Sequence, residues 1–234
     1  MNMVSSKKIA KRHARTAGRQ TWAMDLLLAE ELLLLAYKSN GSPLVELESL
    51  DYLLSAAVLA ELAVRGRLAF RDGRLEVTDP TPVGEDELDR TLGRLAAFER
   101  APAFGDFWTA MYTPDRRARL LRRLADRGAI THERRSLLKL IRYDVFPEVD
   151  PALRTSVRER VRDVLGGAEP DARTVALISL GHAGKVIQRA FPGTDRKRAA
   201  EIAARDPIGV TVAAAFKSAI AEHIAKVASG GAAS

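Results

Sequence analysis

Cysteine is absent from the 234-residue chain, which removes any disulfide framework or thiolate metal site and makes an intracellular compartment the expectation. Histidine is scarce: His13, His132, His182 and His223 are scattered, with no second His, Asp or Glu at metal-ligand spacing. Long apolar runs are missing as well. The longest, Leu26 to Tyr37, is interrupted by Glu30 and Glu31, and a membrane span needs roughly 20 apolar residues. The basic N-terminus has no apolar core of about 7–15 residues, so no secretory signal is expected. There is no phosphate-binding glycine loop of the nucleotide type and no serine nucleophile elbow. Glu30-Glu31 and Glu85-Asp86-Glu87 are adjacent carboxylates, and neighbours on a helix point to different sides. The sequence therefore offers no catalytic constellation, no metal site and no cofactor site.

What is present is apolar mass and unevenly placed charge. Apolar residues make up 47% of the chain, enough for a substantial core. The net charge of +7 comes from 37 Lys/Arg against 30 Asp/Glu. Residues 1–22 hold six of the basic residues and no acid, leaving the remainder nearly neutral. Within that remainder, residues 23–104 carry 8 basic and 15 acidic residues, whereas 115–144 carry 10 basic and 4 acidic. A local positive patch attracts anions over about a Debye length, roughly 8–10 Å, whatever the total charge.

The stretch from Ser49 to Asp79 organises the rest. Leu53, Leu54, Ala57, Val58 and Leu62 recur at helical spacing, so one helix face is buried. Arg65-Gly66-Arg67 ends the helix, and Leu68, Phe70, Leu75 and Val77 then alternate around Asp72-Gly73, the dipeptide of a tight hairpin. The same helix-plus-wing grammar recurs from Arg119 through Gly128 to Ile130. Six further elements complete the reading. Met24 to Lys38 is a core helix; Glu85 begins a helix, with its acidic cluster complementing the dipole. Ala152 to Leu165 is an amphipathic helix, and Asp171 opens a long apolar one that Gly181, Ala183 and Gly184 allow another helix to approach. Thr194 starts a basic helix and Pro207 a last one. The expectation is a mainly α, single multi-helix domain over 23–228 with two small β-hairpins, a mobile basic arm at 1–22 and a flexible tail at 229–234.

Two features suggest a binding face. Arg116, Arg117, Arg119, Arg122, Arg123 and Arg127 share one predicted helix that Thr113 or Asp115 can cap. Positions 116, 119 and 123 fall on one face, beside the buried stripe of 120, 121 and 124. Arginine grips phosphate through two parallel hydrogen bonds, although arginines also serve as ordinary helix surface. The second wing, flanked by Arg134 and Arg135, mixes Leu137, Leu138, Leu140 and Ile141 with cations. Exposed, it suits a membrane interface or another copy of the chain; as an ordinary strand it buries them. Phe104, Phe107, Trp108 and Tyr112 either line a pocket or pack in the core.

The segments LLLAEELLLLAYKSNG, LAELAVRGRLAF, DPTPVGEDELDRTL, RRARLLRRLADRGAI, TVALISLGHAGKVIQRAF and VTVAAAF resemble, in order and over about residues 24–217, the Golgi phosphoprotein family. The Ala-, Arg- and Leu-rich composition suggests a bacterial, actinobacterial member. The resemblance implies an all-helical domain with small hairpins and no catalytic activity. It also implies peripheral membrane binding through a basic face that holds phosphatidylinositol 4-phosphate in eukaryotic members. A hydrophobic hairpin serves insertion or self-association there, and a basic N-terminal arm contacts protein partners. The family's pocket positions fall on Glu46, Ser55, Pro114 and Arg117, of which Arg117 is retained with Arg116 and Arg119 adjacent; the hairpin falls on about residues 130–146. The expected function is thus non-enzymatic binding of an anionic phospholipid surface at the inner face of the cell membrane. The headgroup site would be Arg116, Arg117 and Arg119, and the second hairpin would insert or self-associate. Nucleic-acid binding by a winged helix is the rival, disfavoured because the helix before the first wing is apolar and acidic and has no row of Arg, Asn or Gln to meet base edges.

Overall fold

The computed structural model describes residues 26–71, 74–98, 113, 115–137, 141–194 and 196–205, plus the single positions 210, 214 and 221, with Leu137 and Ile141 in backbone only. The basic arm, the four-aromatic cluster and the tail lie outside these residues, as does the last predicted helix apart from the three helical positions 210, 214 and 221. Among the described residues the fold is eight helices and two antiparallel two-stranded sheets, the expected mainly α architecture.

Helix α1 (Leu28–Ala36) is buried at every residue, as expected of a helix whose apolar residues lie on all sides. Its two carboxylates are enclosed and paired. Glu30 accepts from Leu27 N at 2.9 Å and from Arg123 Nε at 3.1 Å; Glu31 accepts from Arg160 Nη2 at 2.7 Å. Helix α2 (Leu47–Val64) runs back along α1. At one end Leu44 N donates to Ala36 O, and at the other Leu28 N donates to the α2 carboxylate Glu61, which also takes Arg173 at 2.6 Å. Charges this deep are tolerable only when paired.

After α2 the chain turns at Gly66 (φ +71°) into β1 (Leu68–Arg71) and β2 (Arg74–Val77), paired from Leu68 with Val77 to Arg71 with Arg74. Leu68 and Leu75 are buried, and Phe70 and Val77 pack against the core. Helix α3 (Asp86–Ala96) is capped by Glu85, whose carboxylate accepts from Glu87 N and Leu88 N. Helix α4 (Arg116–Asp126) buries Leu120, Leu121 and Leu124, the expected stripe. Of its two expected caps, Asp115 sits at the N-cap without a capping bond, and the Thr113 hydroxyl accepts from Arg94.

Strands β3 (Glu133–Leu137) and β4 (Ile141–Val145) pair from Glu133 with Val145 to Leu137 with Ile141. The loop after α1 supports the foot of this hairpin. Gly41 (φ +81°) approaches so closely that an added Cβ would lie 2.5 Å from the Phe146 backbone. Helices α5 (Ala152–Leu165), α6 (Ala172–Ala183), α7 (Val186–Ala190) and α8 (Arg196–Arg205) follow. The apolar helix expected to run through residue 191 is broken into α6 and α7, because Lys185 takes a left-handed conformation (φ +60°). The small residues act as anticipated: a Cβ on Gly184 would meet Leu53 of α2 at 2.4 Å, and one on Gly181 would meet Ile187 at 2.9 Å. His182 accepts a hydrogen bond from Gln188 Nε2 at 3.0 Å, a packing role.

Candidate functional site

Helix α4 brings its arginines to α2 and α3, where carboxylates receive them. Arg116 is only 3% exposed and is turned inward: Nε donates to Glu87 Oε1 at 2.7 Å, Nη1 to Ser55 Oγ at 2.5 Å and Nη2 to Thr91 Oγ1 at 3.1 Å. Arg119 grips the same carboxylate, with Nε 2.8 Å from Glu87 Oε2 and Nη2 3.0 Å from Oε1. Arg123 bonds Glu30 and Glu85. The shared face of 116, 119 and 123 therefore exists, with Arg116 buried and Arg119 and Arg123 about a quarter exposed, and all three guanidinium groups are paired with acid from the same chain. This corrects the expected outward arginine row. Burial raises the Glu87 pKa, but the hydrogen bonds from Arg119 and Arg116 outweigh it and hold Glu87 below its ordinary range. Burial pulls Arg116 down and Glu87 counters it; Arg119 is raised by its bond to Glu87.

Arg117 turns to a different carboxylate, that of Asp51 on α2. It lies at the rim, its side chain 23% exposed, with Nη1 2.9 Å from Leu47 O and 3.2 Å from Asp51 Oδ2. Arg116 meanwhile bonds Ser55. Of the four positions that the family resemblance marks as a pocket, Arg117 reaches the start of α2 next to Glu46, Ser55 is buried against Arg116, and Pro114 lies outside the described residues. Their chemistry has changed. Glu46 and Glu48 are exposed, and Asp51 occupies the inner side of the Arg117 guanidinium. Burial raises Asp51 to about 6 against the pull of Arg117, with Glu48 adding to the rise.

Between α3 and α4 opens a cleft of about 450 Å³. Arg90 and Arg122 stand exposed on its walls, as do Asp86 and Asp126, above a floor of Glu85, Glu87, Arg119 and Arg123. A phosphate there would face two carboxylates as well as two guanidinium groups, so the cleft is neutral rather than anion-selective.

The second hairpin is only partly compensated, and its pairs lie at the surface. Residues 132–136 and 142–144 are all exposed; consecutive exposure on paired strands means that both faces of the sheet are bare, since alternate side chains point to opposite faces. It presents Arg134, Arg135 and Arg142, with Tyr143 45% exposed. Arg134 pairs with Asp144 and Arg135 with Glu133, both at the surface, where such pairs contribute little. Leu138 and Leu140 lie outside the described residues, and for Leu137 and Ile141 the register alone is described. The residues that the sequence reading missed are Asp51 and Glu87. Their signal was a polar pair four residues apart, Asp51 with Ser55 on the apolar α2 and Glu87 with Thr91 on the amphipathic α3; Ser55 and Thr91 donate back to Asp51 O and Glu87 O.

Fold and site define a class: a helical body bearing two small wings, with no described helix long and apolar enough to cross a membrane and no metal-binding cluster among the described residues. The profile of the Golgi phosphoprotein 3 (GPP34) family matches residues 28–223, and the chain belongs to that family. It is 25% identical over 211 residues to vacuolar protein sorting-associated protein 74 of Eremothecium gossypii, covering 74% of this chain and 63% of the relative. It is 26% identical over 215 residues to the protein of the same name from Schizosaccharomyces pombe, covering 74% and 64%. The chain thus spans slightly less than two thirds of the length of these curated relatives.

Proposed function

We propose that this family member is a non-enzymatic peripheral membrane protein that recognises anionic phospholipid headgroups, working at the inner face of the cell membrane. The observation that carries the reading is the second hairpin, bare on both faces and presenting Arg134, Arg135, Arg142 and Tyr143. An isolated two-stranded sheet is marginal in water, and a tyrosine among arginines suits the headgroup level of a bilayer. Each cation near an anionic surface contributes about 1 kcal/mol, so three give reversible attachment. Arg117 is the headgroup contact on the body; Arg116 and Arg119 support it from behind by holding Glu87. Glu46, Glu48 and Asp51 around Arg117 oppose a highly charged headgroup, so simple anionic phospholipids fit better than phosphatidylinositol 4-phosphate.

Co-sedimentation with phosphatidylglycerol-containing and pure phosphatidylcholine vesicles at low salt tests this. Preferential binding to the anionic vesicles is expected, and equal partition overturns the reading. Combined Arg134→Glu, Arg135→Glu and Arg142→Glu should weaken binding at least about 100-fold, from three contributions of about 1 kcal/mol each.

A second reading has its own observation. Among the described residues the two-stranded sheet has no third strand on either edge, and open edges template strand addition, so the hairpin also suits contact with a second copy. Sedimentation velocity across a concentration series separates the two. The basic arm would serve a protein partner. Groove reading by a winged helix fits poorly, because α2 is buried from Leu53 to Leu62 and has no face to offer a base edge.

A further inference from the structure

Arg117 meets solvent on one side and Asp51 on the other. Its side chain is 23% exposed and that of Asp51 is 9% exposed, with Nη1 3.2 Å from Asp51 Oδ2. An arriving anion therefore competes with a carboxylate already seated on the inner side. The second carboxylate oxygen, Asp51 Oδ1, is buried without a hydrogen-bond partner. A proton can settle there without breaking any contact, and it removes the negative charge that opposes the anion. We propose that Asp51 is an internal competitor that keeps Arg117 closed to anionic headgroups and surrenders it on protonation, so that headgroup capture is favoured at acidic surfaces. This rests on the lipid-binding reading and adds to it a gate.

The groups that face Asp51 are few. Arg117 comes from α4 and Glu48 from its own helix, while Tyr37 comes from the segment after α1. Tyr37 is pushed up by burial, partly countered by Arg117 and reinforced by Asp51, so it stays neutral. Arg154 of α5 bonds the Tyr37 carbonyl and pairs with Glu148, and Arg189 of α7 bonds the Leu44 carbonyl, so neither is given to Asp51. Burial outweighs Arg117, and Asp51 titrates at about 6. Since its folded-state value is raised above the ordinary 3.8, the stability it contributes is full at low pH and is lost as pH rises through about 6. An anionic leaflet at about −30 mV concentrates protons by roughly half a pH unit, so the surface to be recognised itself favours the open form.

The test is binding to phosphatidylglycerol–phosphatidylcholine vesicles at about pH 7.5 and about pH 5.5, at fixed ionic strength. It compares wild type, Asp51→Asn, Arg117→Ala and the double variant. Wild type should bind about tenfold tighter at the lower pH, the factor that one unit of pKa coupling carries. Asp51→Asn should bind at the higher pH as wild type does at the lower, and the gain should vanish when Arg117 is also replaced. Thermal melts confirm folding and report Asp51 directly: wild type should lose stability as pH rises through about 6, and Asp51→Asn should lack that step. Wild-type affinity in Asp51→Asn at the higher pH, a gain that survives Arg117→Ala, or a melt without the step overturns the gate. If vesicle binding is present and hairpin-dependent in that case, the lipid reading stands without it. If none of the four proteins binds vesicles at either pH, the lipid reading falls and the gate falls with it.

Discussion

The two hairpins follow the same local grammar, a helix ended by a left-handed glycine and then a short antiparallel pair, yet they bury different amounts of themselves. In the first, Leu68 and Leu75 are buried and Phe70 and Val77 rest on the core, so one face is dry and the wing is part of the body. In the second, Glu133 to Ser136 and Arg142 to Asp144 are exposed on both faces, and the wing is anchored by its foot. There Val145 is buried, and Phe146 stacks on His132 at 5.1 Å and meets Tyr37 edge-on at 6.2 Å. A hairpin that stabilises a fold and a hairpin that presents a surface are thus distinguished by what lies beneath them, not by their turns.

That contrast can be broken. Leu75→Ala should destabilise the protein by about 3 kcal/mol in chemical denaturation, because a buried leucine leaves a cavity on truncation. A cost near zero would mean the first wing is as free as the second. Gly41→Ala attacks the foot of the second hairpin, where a Cβ would lie 2.5 Å from the Phe146 backbone at a positive φ; about 2 kcal/mol is expected from strain and overpacking together. Hydrogen exchange should locate the loosening at β3 and β4. Tyr143→Ala sharpens the contrast with the smallest effect on stability, within about 0.5 kcal/mol for an exposed position. It should nevertheless weaken vesicle binding measurably, a combination that no residue of the first wing should reproduce.

The arginine helix shows where the reading of the sequence reached its limit. Helical spacing placed 116, 119 and 123 together and 120, 121 and 124 in the core, and both placements hold. The direction in which the guanidinium groups are satisfied depends on Glu87, 32 residues before Arg119, and on Glu30, 93 residues before Arg123. No periodicity within a helix encodes such partners. Glu85-Asp86-Glu87 looked like a dipole-complementing cluster, and Glu85 does cap its helix. Glu87 is instead buried to neutralise Arg116 and Arg119, since a buried guanidinium needs a carboxylate at hydrogen-bond distance.

Local chemistry determined the helices, both wings and the close approach at Gly184, because apolar spacing, glycine turns and missing side chains act within a few residues of chain. Register determined which strand residues pair. Tertiary structure alone decided which charges are consumed. Coulomb attraction and desolvation depend on distance in space, and helices far apart in the chain bring Arg116 to Glu87 and Asp51 to Arg117, while residues 132–136 and 142–144 of the second hairpin stay exposed.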